Sequence, residues 1–153
     1  VRENMYTRHE ISLSEHLAWW ERLSGREDQK YFMFDWLGNP VGVVGFSDVD
    51  FVNKNSSWAF YASPSAPRGT GSRMEYFAIE YAFNSLGLNK LYCEVLEFNA
   101  AVIRLHQKFG FKVEGVLREQ HLYDGSFIDV YRLGLLFDDW KELSVAMQEK
   151  MLT

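Results

Sequence analysis

The stretch Pro67-Arg68-Gly69-Thr70-Gly71-Ser72-Arg73 separates a predicted strand from a predicted long helix. The strand covers residues 56–62 and follows a polar turn. The helix carries apolar residues at the spacing expected of a helix packed on a sheet, namely Met74, Phe77, Ala78, Tyr81 and Ala82. Gly87 is well placed to end this helix. A strand, a glycine-rich connection and an amphipathic helix in this order predict a fold in which a helix covers a sheet.

The glycines of this stretch also favour an anion-binding loop. Without side chains at Gly69 and Gly71, backbone amides can approach an anion, and a helix start adds free N–H groups and the positive end of its dipole. Arg68 and Arg73 add charged donors suited to a pyrophosphate, so residues 68–73 form the predicted phosphate-binding loop. No Lys-Ser or Lys-Thr pair follows, which excludes a P-loop. The alternative is a connection whose glycines serve only a tight turn.

Periodicity and turn residues predict the remaining elements. A capping box at Ser12 and Glu15 opens a helix over residues 13–24. Strands are predicted over 31–37 and 41–49 around a turn at 38–40, over 91–98, and over 111–123 and 126–136, the last two joined by Asp124-Gly125. Further helices are predicted over 100–109, capped by Asn99 and ended by Gly110, and over 137–150. This order predicts an α/β (α+β) fold with a mixed sheet covered by helices.

Composition narrows the classes of function. With 153 residues, the chain fits a single domain over residues 1–153. A net charge of −5 and an isoelectric point near 5.4 provide no basic field for nucleic acid or for an anionic membrane. Cys93 is the only cysteine, so neither an intrachain disulfide nor a cysteine-based metal site is predicted. No apolar stretch approaches the ~20 residues of a membrane-spanning helix, and no signal-peptide pattern is visible, so the predicted location is cytoplasmic.

Four motifs follow one another along the chain: Trp58-Ala59-Phe60-Tyr61, Arg68-Gly69-Thr70-Gly71, Asn99-Ala100-Ala101-Val102-Ile103 and Leu105-His106-Gln107-Lys108-Phe109-Gly110-Phe111. In this order they resemble the signature of the GNAT acetyltransferase superfamily. The resemblance implies acetyl-coenzyme A as cofactor and a GNAT-type mixed, mainly antiparallel central sheet flanked by helices. It also implies that this chain lacks, or is trimmed of, the family's first strand and helix. Ala66 departs from the family pattern, which usually has Gln or Arg at that position.

The resemblance implies three sets of cofactor contacts. A backbone N–H around Phe60, Tyr61 and Ala62 is the expected donor to the oxyanion. The expected pyrophosphate contacts are Arg68, Gly69, Thr70, Gly71, Ser72 and Arg73. On the following helix, Asn99 is expected to contact the pantetheine arm beside Ala101. Arg104 and Lys108 either meet the cofactor phosphates or form a solvated charged face.

The implied reaction is direct attack of a neutral amine on the thioester, without a covalent enzyme intermediate. Such a site takes a proton from the amine, stabilises an oxyanion and protonates the leaving thiolate. His106 occupies the position of the tyrosine that usually protonates the thiolate, and a histidine can donate a proton near neutral pH. Its place on an apolar stripe also fits a packed core histidine, in which case Tyr61 or ordered water is the acid. Glu94, at mid-strand, is the candidate base, although a Glu there also suits pairing with an Arg or a water relay.

The acceptor is the least constrained element of the interpretation. Met5-Tyr6-Thr7 and Lys30-Tyr31-Phe32 resemble the nucleotide-sugar N-acetyltransferases of pseudaminic acid synthesis, which implies UDP-4-amino-4,6-dideoxy-N-acetyl-altrosamine as acceptor. Arg118-Glu119 and Asp124-Gly125 are similar to the ribosomal-protein alanine acetyltransferase group, which implies a protein N-terminus instead. A third possibility is a degenerate domain that binds coenzyme A as a sensor or scaffold. The edge strands and aromatic residues are compatible with a homodimer.

Overall fold

The structure, a computed structural model, describes residues 28–36 and 38–152. The helix predicted over residues 13–24 and the predicted strand end at Leu37 lie outside the described residues. Within them, the elements in chain order are β1 Lys30–Trp36, β2 Asn39–Asp50, β3 Asn55–Ala62, α1 Thr70–Glu80, β4 Lys90–Leu96, α2 Ala100–Lys108, β5 Lys112–Tyr123, β6 Ser126–Leu136 and α3 Phe137–Leu152. The elements predicted downstream of residue 30 are therefore present, with shifts of one or two residues at most ends.

The strands form one sheet in the order β1-β2-β3-β4-β6-β5. Only β3 and β4 run parallel, and every other neighbouring pair is antiparallel. Parallel strands need a long crossover, and α1 lies in the connection between these two strands. The predicted mixed, mainly antiparallel sheet flanked by helices is thereby confirmed.

The first hairpin turns earlier than predicted. Trp36 pairs with Asn39 and Asp35 with Pro40, so Asn39 and Pro40 belong to β2. The positive φ of Gly38, 83°, permits such a short connection. Pro40 lies opposite Asp35 at a register shift, where a residue without an N–H is tolerated. The turn predicted over residues 38–40 is thus wrong at its end, because Asn39 and Pro40 lie in β2.

Helix α1 supplies much of the core over the sheet. Met74, Ala78 and Ile79 are fully buried, as expected from the apolar stripe. The helix does not continue unchanged to Gly87 as predicted, because a wider π-type turn over Tyr81–Ser85 follows Glu80. This turn keeps the consecutive residues Ala82 and Phe83 buried. Gly87, with φ of 67°, then ends the segment in the left-handed conformation.

The terminal helix α3 is tied to α1 by a buried tryptophan. Trp140 is 1% exposed, and its Nε1–H donates to Oε1 of Glu80 at 2.9 Å. Its ring also contacts Tyr76 on α1 and Phe109 at the end of α2. Because the indole N–H has a hydrogen-bond partner, burying it costs little free energy. Trp140 therefore packs three helices against one another.

Candidate active site

The parallel strands β3 and β4 separate in the middle of the sheet. Their pairing starts at Asn55 with Lys90 and stops at Ser57 with Tyr92. Each strand nevertheless continues, since β3 pairs with β2 as far as Ala62 and β4 pairs with β6 as far as Leu96. The result is a V-shaped opening, lined on both sides by strand edges that do not pair with each other. Edge backbone groups there can serve a ligand, and the predicted oxyanion donors at residues 60–62 lie on one of these edges.

The predicted phosphate loop leads from β3 into the start of α1. Gly69 is the N-cap residue, has φ of 91° and makes no capping side-chain hydrogen bond. The Thr70 hydroxyl and N–H both donate to the carbonyl oxygen of Pro67, at 2.6 and 3.1 Å, which holds the loop closed. The next first-turn amides, including those of Gly71 and Ser72, have no partner within a helix. No acidic residue stands in this first turn, so its field stays positive.

Gly71 lies where the loop meets β3 and α2. A Cβ atom built on it would be 3.6 Å from Cδ2 of Leu105 and 3.8 Å from Cε2 of Phe60, which are ordinary contact distances. The fold therefore does not require a glycine at this position. Arg68 and Arg73 are exposed on either side of it, and Ser72 is half-buried. A bare, positively flanked helix start with spare room for one methyl group fits an anion such as a pyrophosphate.

His106 forms a buried pair with Glu75. Its Nδ1 is 2.8 Å from Oε2 of Glu75, and the two side chains are 4% and 0% exposed. Burial raises the pKa of the Glu75 carboxyl, while the hydrogen bond and charge of His106 act in the opposite direction. The pair joins α1, which begins at the phosphate loop, to α2. His106 is therefore packed and hydrogen-bonded, as the alternative interpretation of the sequence described.

The imidazole of His106 also contacts β3 at the opening. Its centroid lies 5.4 Å from that of Trp58 and 6.2 Å from that of Phe60, both on β3. Phe111, just before β5, covers a further part of the ring at 5.4 Å. Phe60 is also a neighbour of Gly71, so His106 lies one side chain away from the phosphate loop.

Tyr61 and Glu94 lie on the other face of the sheet. Successive strand residues alternate between faces, and Tyr61 follows Phe60 while Glu94 follows the buried Cys93. The Glu94 carboxylate is 3.7 Å from Nη1 of Arg132, the arginine partner that the sequence left open. The structure thus separates the predicted catalytic residues, with His106 on the helix-covered face and the other two opposite it.

The residues predicted on α2 divide into one buried and three exposed positions. Asn99 is 8% exposed but makes no capping hydrogen bond, so its predicted capping role is wrong. Its φ and ψ of −94° and 59° differ from the extended conformation that a capping side chain needs. Ala101, Arg104 and Lys108 are exposed, and their spacing places them on one side of the helix. Contact of these residues with a cofactor stays a prediction.

Sequence reasoning missed Glu75 and the environment of Cys93. Glu75 precedes Ala78, Ile79 and Ala82 by three, four and seven residues, and all three are fully buried, so its place on an apolar helix face was the available signal. Cys93 is 3% exposed. Burial, and then the charges of Glu75 and Glu94, raise the pKa of its thiol well above the ordinary value.

Neither a metal-ligand cluster nor a membrane-crossing helix occurs among the described residues. Across 28–36 and 38–152, no three His, Cys, Asp or Glu side chains are grouped so that they could hold a metal ion. None of the helices described here combines the length and apolar character needed to cross a membrane.

Known proteins resemble this chain in sequence. Residues 1–112 match the acetyltransferase (GNAT) domain model. A spermidine N(1)-acetyltransferase of Escherichia coli is 27% identical over 108 residues, which cover 70% of this chain and 58% of that protein. Acetyltransferase PseH of Campylobacter jejuni is 28% identical over 113 residues, 74% of this chain and 69% of PseH. The L-amino acid N-acetyltransferase AaaT of Escherichia coli is 30% identical over 122 residues, 77% of this chain and 74% of AaaT. The chain thus spans less than two thirds of the spermidine acetyltransferase.

The fold has a solved counterpart. A crystal structure of spermidine N-acetyltransferase from Vibrio cholerae in complex with CoA and spermine superposes with a TM-score of 0.79 at 23% identity, over 88% of this chain and 80% of that one. At this identity the likeness bears on the fold alone. The match of residues 1–112 to the domain model is evidence of common ancestry with that family. The domain match and the likeness to AaaT show that the chain belongs to the GNAT family of acetyltransferases.

Proposed function

We propose that this chain is an acetyl-CoA-dependent N-acetyltransferase that acts on a primary amine of a small molecule by direct attack. The observation that carries the proposal is the separation of β3 from β4 beyond Ser57 and Tyr92, directly beside the bare start of α1. An opening in a sheet provides unpaired backbone donors, and a helix start provides an anion site. Their adjacency suits a ligand with a phosphate at one end and a reactive carbonyl at the other.

The residues around the opening fit the cofactor. The amides of Gly71 and Ser72, flanked by Arg68 and Arg73, suit its pyrophosphate, and the room at Gly71 is the space that a phosphate oxygen would fill. Asn99 is buried beside the opening without a capping bond, which leaves its amide for the pantetheine arm. Backbone N–H groups on the free edge of β3 are the donors to the oxyanion.

The two faces of the sheet support a division of roles. Glu94, on the face opposite His106, accepts the proton of the attacking amine directly or through water, and Tyr61 lies on the same face. His106, on the helix face beside Phe60, gives a proton to the leaving thiolate. An amine and a thiolate that arrive from opposite sides of the opening each meet one of these groups. These assignments are proposals drawn from position.

For the acceptor we favour a nucleotide-linked amino sugar. Beside Glu94, the guanidinium of Arg132 lies 4.1 Å from the ring centroid of Tyr92, and its side chain is 40% exposed. A cation on an aromatic surface suits a nucleotide diphosphate and disfavours a polycation. The likeness to PseH supports the same substrate class, whereas the likeness to spermidine acetyltransferases supports a polyamine. The homodimer remains part of the proposal, supported by the exposed Val113 and Val116 on the edge strand β5.

The test begins with calorimetric titration of the purified protein with acetyl-CoA, for which we expect a dissociation constant in the micromolar range. An acceptor screen then compares UDP-4-amino-4,6-dideoxy-N-acetyl-altrosamine, spermidine and a peptide with an N-terminal Ala. Turnover of the sugar alone supports the proposal. Turnover of spermidine or of the peptide would identify that compound as the acceptor in place of the sugar. Binding of acetyl-CoA without turnover of any amine would identify a sensor or scaffold, and absence of binding would refute the proposal.

A further inference from the structure

The buried pair of Glu75 and His106 connects every element of the proposed site. Glu75 projects from α1, one turn after the phosphate loop, and His106 projects from α2. The 2.8 Å contact between them is covered by Trp58 and Phe60 of β3, the strand that forms one side of the opening. An ionisable pair in such apolar surroundings is costly to build, and a hydrophobic pair of similar size would serve packing at least as well. Its placement therefore calls for a chemical role.

We propose that Glu75 is a positioning residue for acetyl transfer, which through Nδ1 orients the His106 imidazole and keeps a proton on its Nε2. This inference rests on the proposed function, because it assigns to that proton the task of protonating the leaving thiolate. In that step the Nε2–H bond breaks and an S–H bond forms with the electron pair of the thiolate. The N–H electron pair stays on the imidazole, and solvent later returns the proton to it.

Proton counting explains why Nε2 stays protonated. Oε1 of Glu75 is buried without a partner, so a proton placed on it would lack an acceptor. With that form set aside, a pair without net charge has two forms: either Glu75 is ionised and the imidazole carries both protons, or Glu75 is protonated on Oε2 and donates to Nδ1. In both cases Nε2 bears a hydrogen. Only its loss creates a net negative charge in the pair, which the apolar surroundings oppose. Burial likewise raises the pKa of Glu75, in accord with a pair that resists a net charge.

The unpaired atoms of the cluster agree with this assignment. Oε1 of Glu75 is fully buried without a hydrogen-bond partner within the described residues, which makes a lone carboxylate there unfavourable. Nε2 of His106 makes no hydrogen bond to any described residue either, yet it is not among the fully buried unpartnered atoms. The His106 side chain as a whole is 4% exposed.

The other groups around the pair do not compete for the proton. β3 contributes Trp58 and Phe60, and the segment before β5 contributes Phe111, none of which titrates. On β4 the Cys93 thiol lies close enough for the charge of Glu75 to raise its pKa, so it stays protonated near neutral pH. Glu75 and His106 are thus the two groups of this cluster that can exchange the proton.

The experiment compares wild type with Glu75→Gln. Because the neutral amide no longer stabilises an imidazolium, we expect kcat to fall about 10-fold or more. The KM for acetyl-CoA should stay within about 3-fold. The alkaline limb of the kcat profile should move to lower pH by about one unit or more. Glu80→Gln is the matched control, since Glu80 lies on the same helix but accepts its hydrogen bond from Trp140 instead of contacting His106. It should leave both kcat and the profile unchanged.

Histidine NMR provides a readout without substrate. The chain has four histidines, so His106 can be assigned from the resonance lost in His106→Asn. Glu75→Gln should change the ¹⁵N chemical shifts of this ring, which report on which of its nitrogens carries a proton. Glu75→Met, similar in length and suited to apolar surroundings, is the second variant if Gln prevents folding, and the same loss of kcat is expected. An active wild type whose kcat and pH profile are unchanged in these variants would overturn the role of Glu75 and leave the proposed function standing. A wild type inactive on every amine would refute the proposed function and this inference with it.

Discussion

Ser57 of β3 and Tyr92 of β4 are the last paired residues of the parallel ladder in the described sheet. Beyond them each strand follows its antiparallel neighbour, β2 or β6, and the two inner edges part. Antiparallel pairing with β2 and β6 keeps β3 and β4 ordered beyond the point where they stop pairing with each other. The opening is therefore built into the pairing of the sheet, and the two faces beside it carry different titratable side chains, His106 on one and Glu94 on the other.

The first prediction concerns Gly71→Ala. The added methyl group meets only ordinary contacts from Leu105 and Phe60, and Ala favours a helix over Gly by up to about 1 kcal/mol. We expect thermal stability to be unchanged or higher. The methyl group would, however, occupy the space proposed for a phosphate oxygen, so the affinity for acetyl-CoA should fall about 10-fold, or about 1.4 kcal/mol. Calorimetric titration and thermal unfolding measure the two effects separately.

Gly115→Ala is the control for this variant. Gly115 lies on β5 with no atom near a built Cβ, and its backbone conformation accepts a side chain. Its affinity for acetyl-CoA should equal that of wild type. Equal affinity in Gly71→Ala as well would show that no phosphate oxygen occupies the space beside Gly71.

Turn chemistry explains how much of the fold could be predicted. Asp124 and Gly125 have φ of 49° and 82°, the conformation that a two-residue hairpin requires, and this residue pair favours it by itself. At the first hairpin, the residues 38–40 offer several places for a turn. The choice depends on the pairing of Trp36 with Asn39, which involves the neighbouring strand. Elements could be predicted from local patterns, whereas their ends depend on cross-strand partners.

The site was less predictable for the same reason. Glu75 and His106 are 31 residues apart on two helices, and only the packing of both helices on β3 brings them together. The loop over residues 68–73 could be located because one continuous stretch of sequence forms it, and its binding of a phosphate stays a prediction. The separation of β3 from β4 has no sequence signal, since both strands continue with ordinary strand residues past Ser57 and Tyr92.

The second prediction concerns His106→Asn. The amide nitrogen of Asn stands near the position of Nδ1, so it can still donate to Glu75, while the group equivalent to Nε2 is lost. We expect kcat to fall about 100-fold, the scale of a lost general acid. The dissociation constant for acetyl-CoA should change by less than about 3-fold. Single-turnover kinetics and calorimetry measure these quantities, with circular dichroism to check folding.

Tyr61→Phe is the companion variant, because Tyr61 was the alternative acid. Its turnover should remain within about 3-fold of wild type if His106 supplies the proton. The opposite pattern, a loss in Tyr61→Phe and none in His106→Asn, would transfer the role to the tyrosine. Unchanged turnover in both variants would point to ordered water.

The third prediction concerns Glu94→Gln. Glu94 is partly exposed and 3.7 Å from Arg132, a geometry in which an ion pair contributes at most about 1 kcal/mol to stability. A large loss of activity would then have a chemical cause. We expect kcat/KM to fall about 100-fold at neutral pH and to recover partly at high pH, where more of the amine is already deprotonated. Glu114→Gln, which breaks the 2.8 Å pair with Lys90, should leave kcat/KM unchanged. A Glu94→Gln enzyme as active as this control would exclude Glu94 as the base.

The fourth prediction concerns the thiol of Cys93. Because burial raises its pKa in the folded chain, the unfolded chain loses this proton first as the pH rises. The stabilisation from the protonated thiol is therefore complete below the pKa of an unfolded cysteine, about 8.5. It declines above that value, until the folded thiol also ionises, by up to about 1.4 kcal/mol per pH unit. Urea unfolding between pH 8 and about 10 should thus show a steeper loss of stability in wild type than in Cys93→Ala. Tyr76 and Tyr81, whose pKa values are also raised by burial, are present in both proteins and cancel in the difference.

The burial of Cys93 also predicts that a thiol reagent modifies the native protein only as fast as the protein opens locally. If wild type and Cys93→Ala lose stability equally with pH and the reagent modifies the native protein at once, the thiol is accessible.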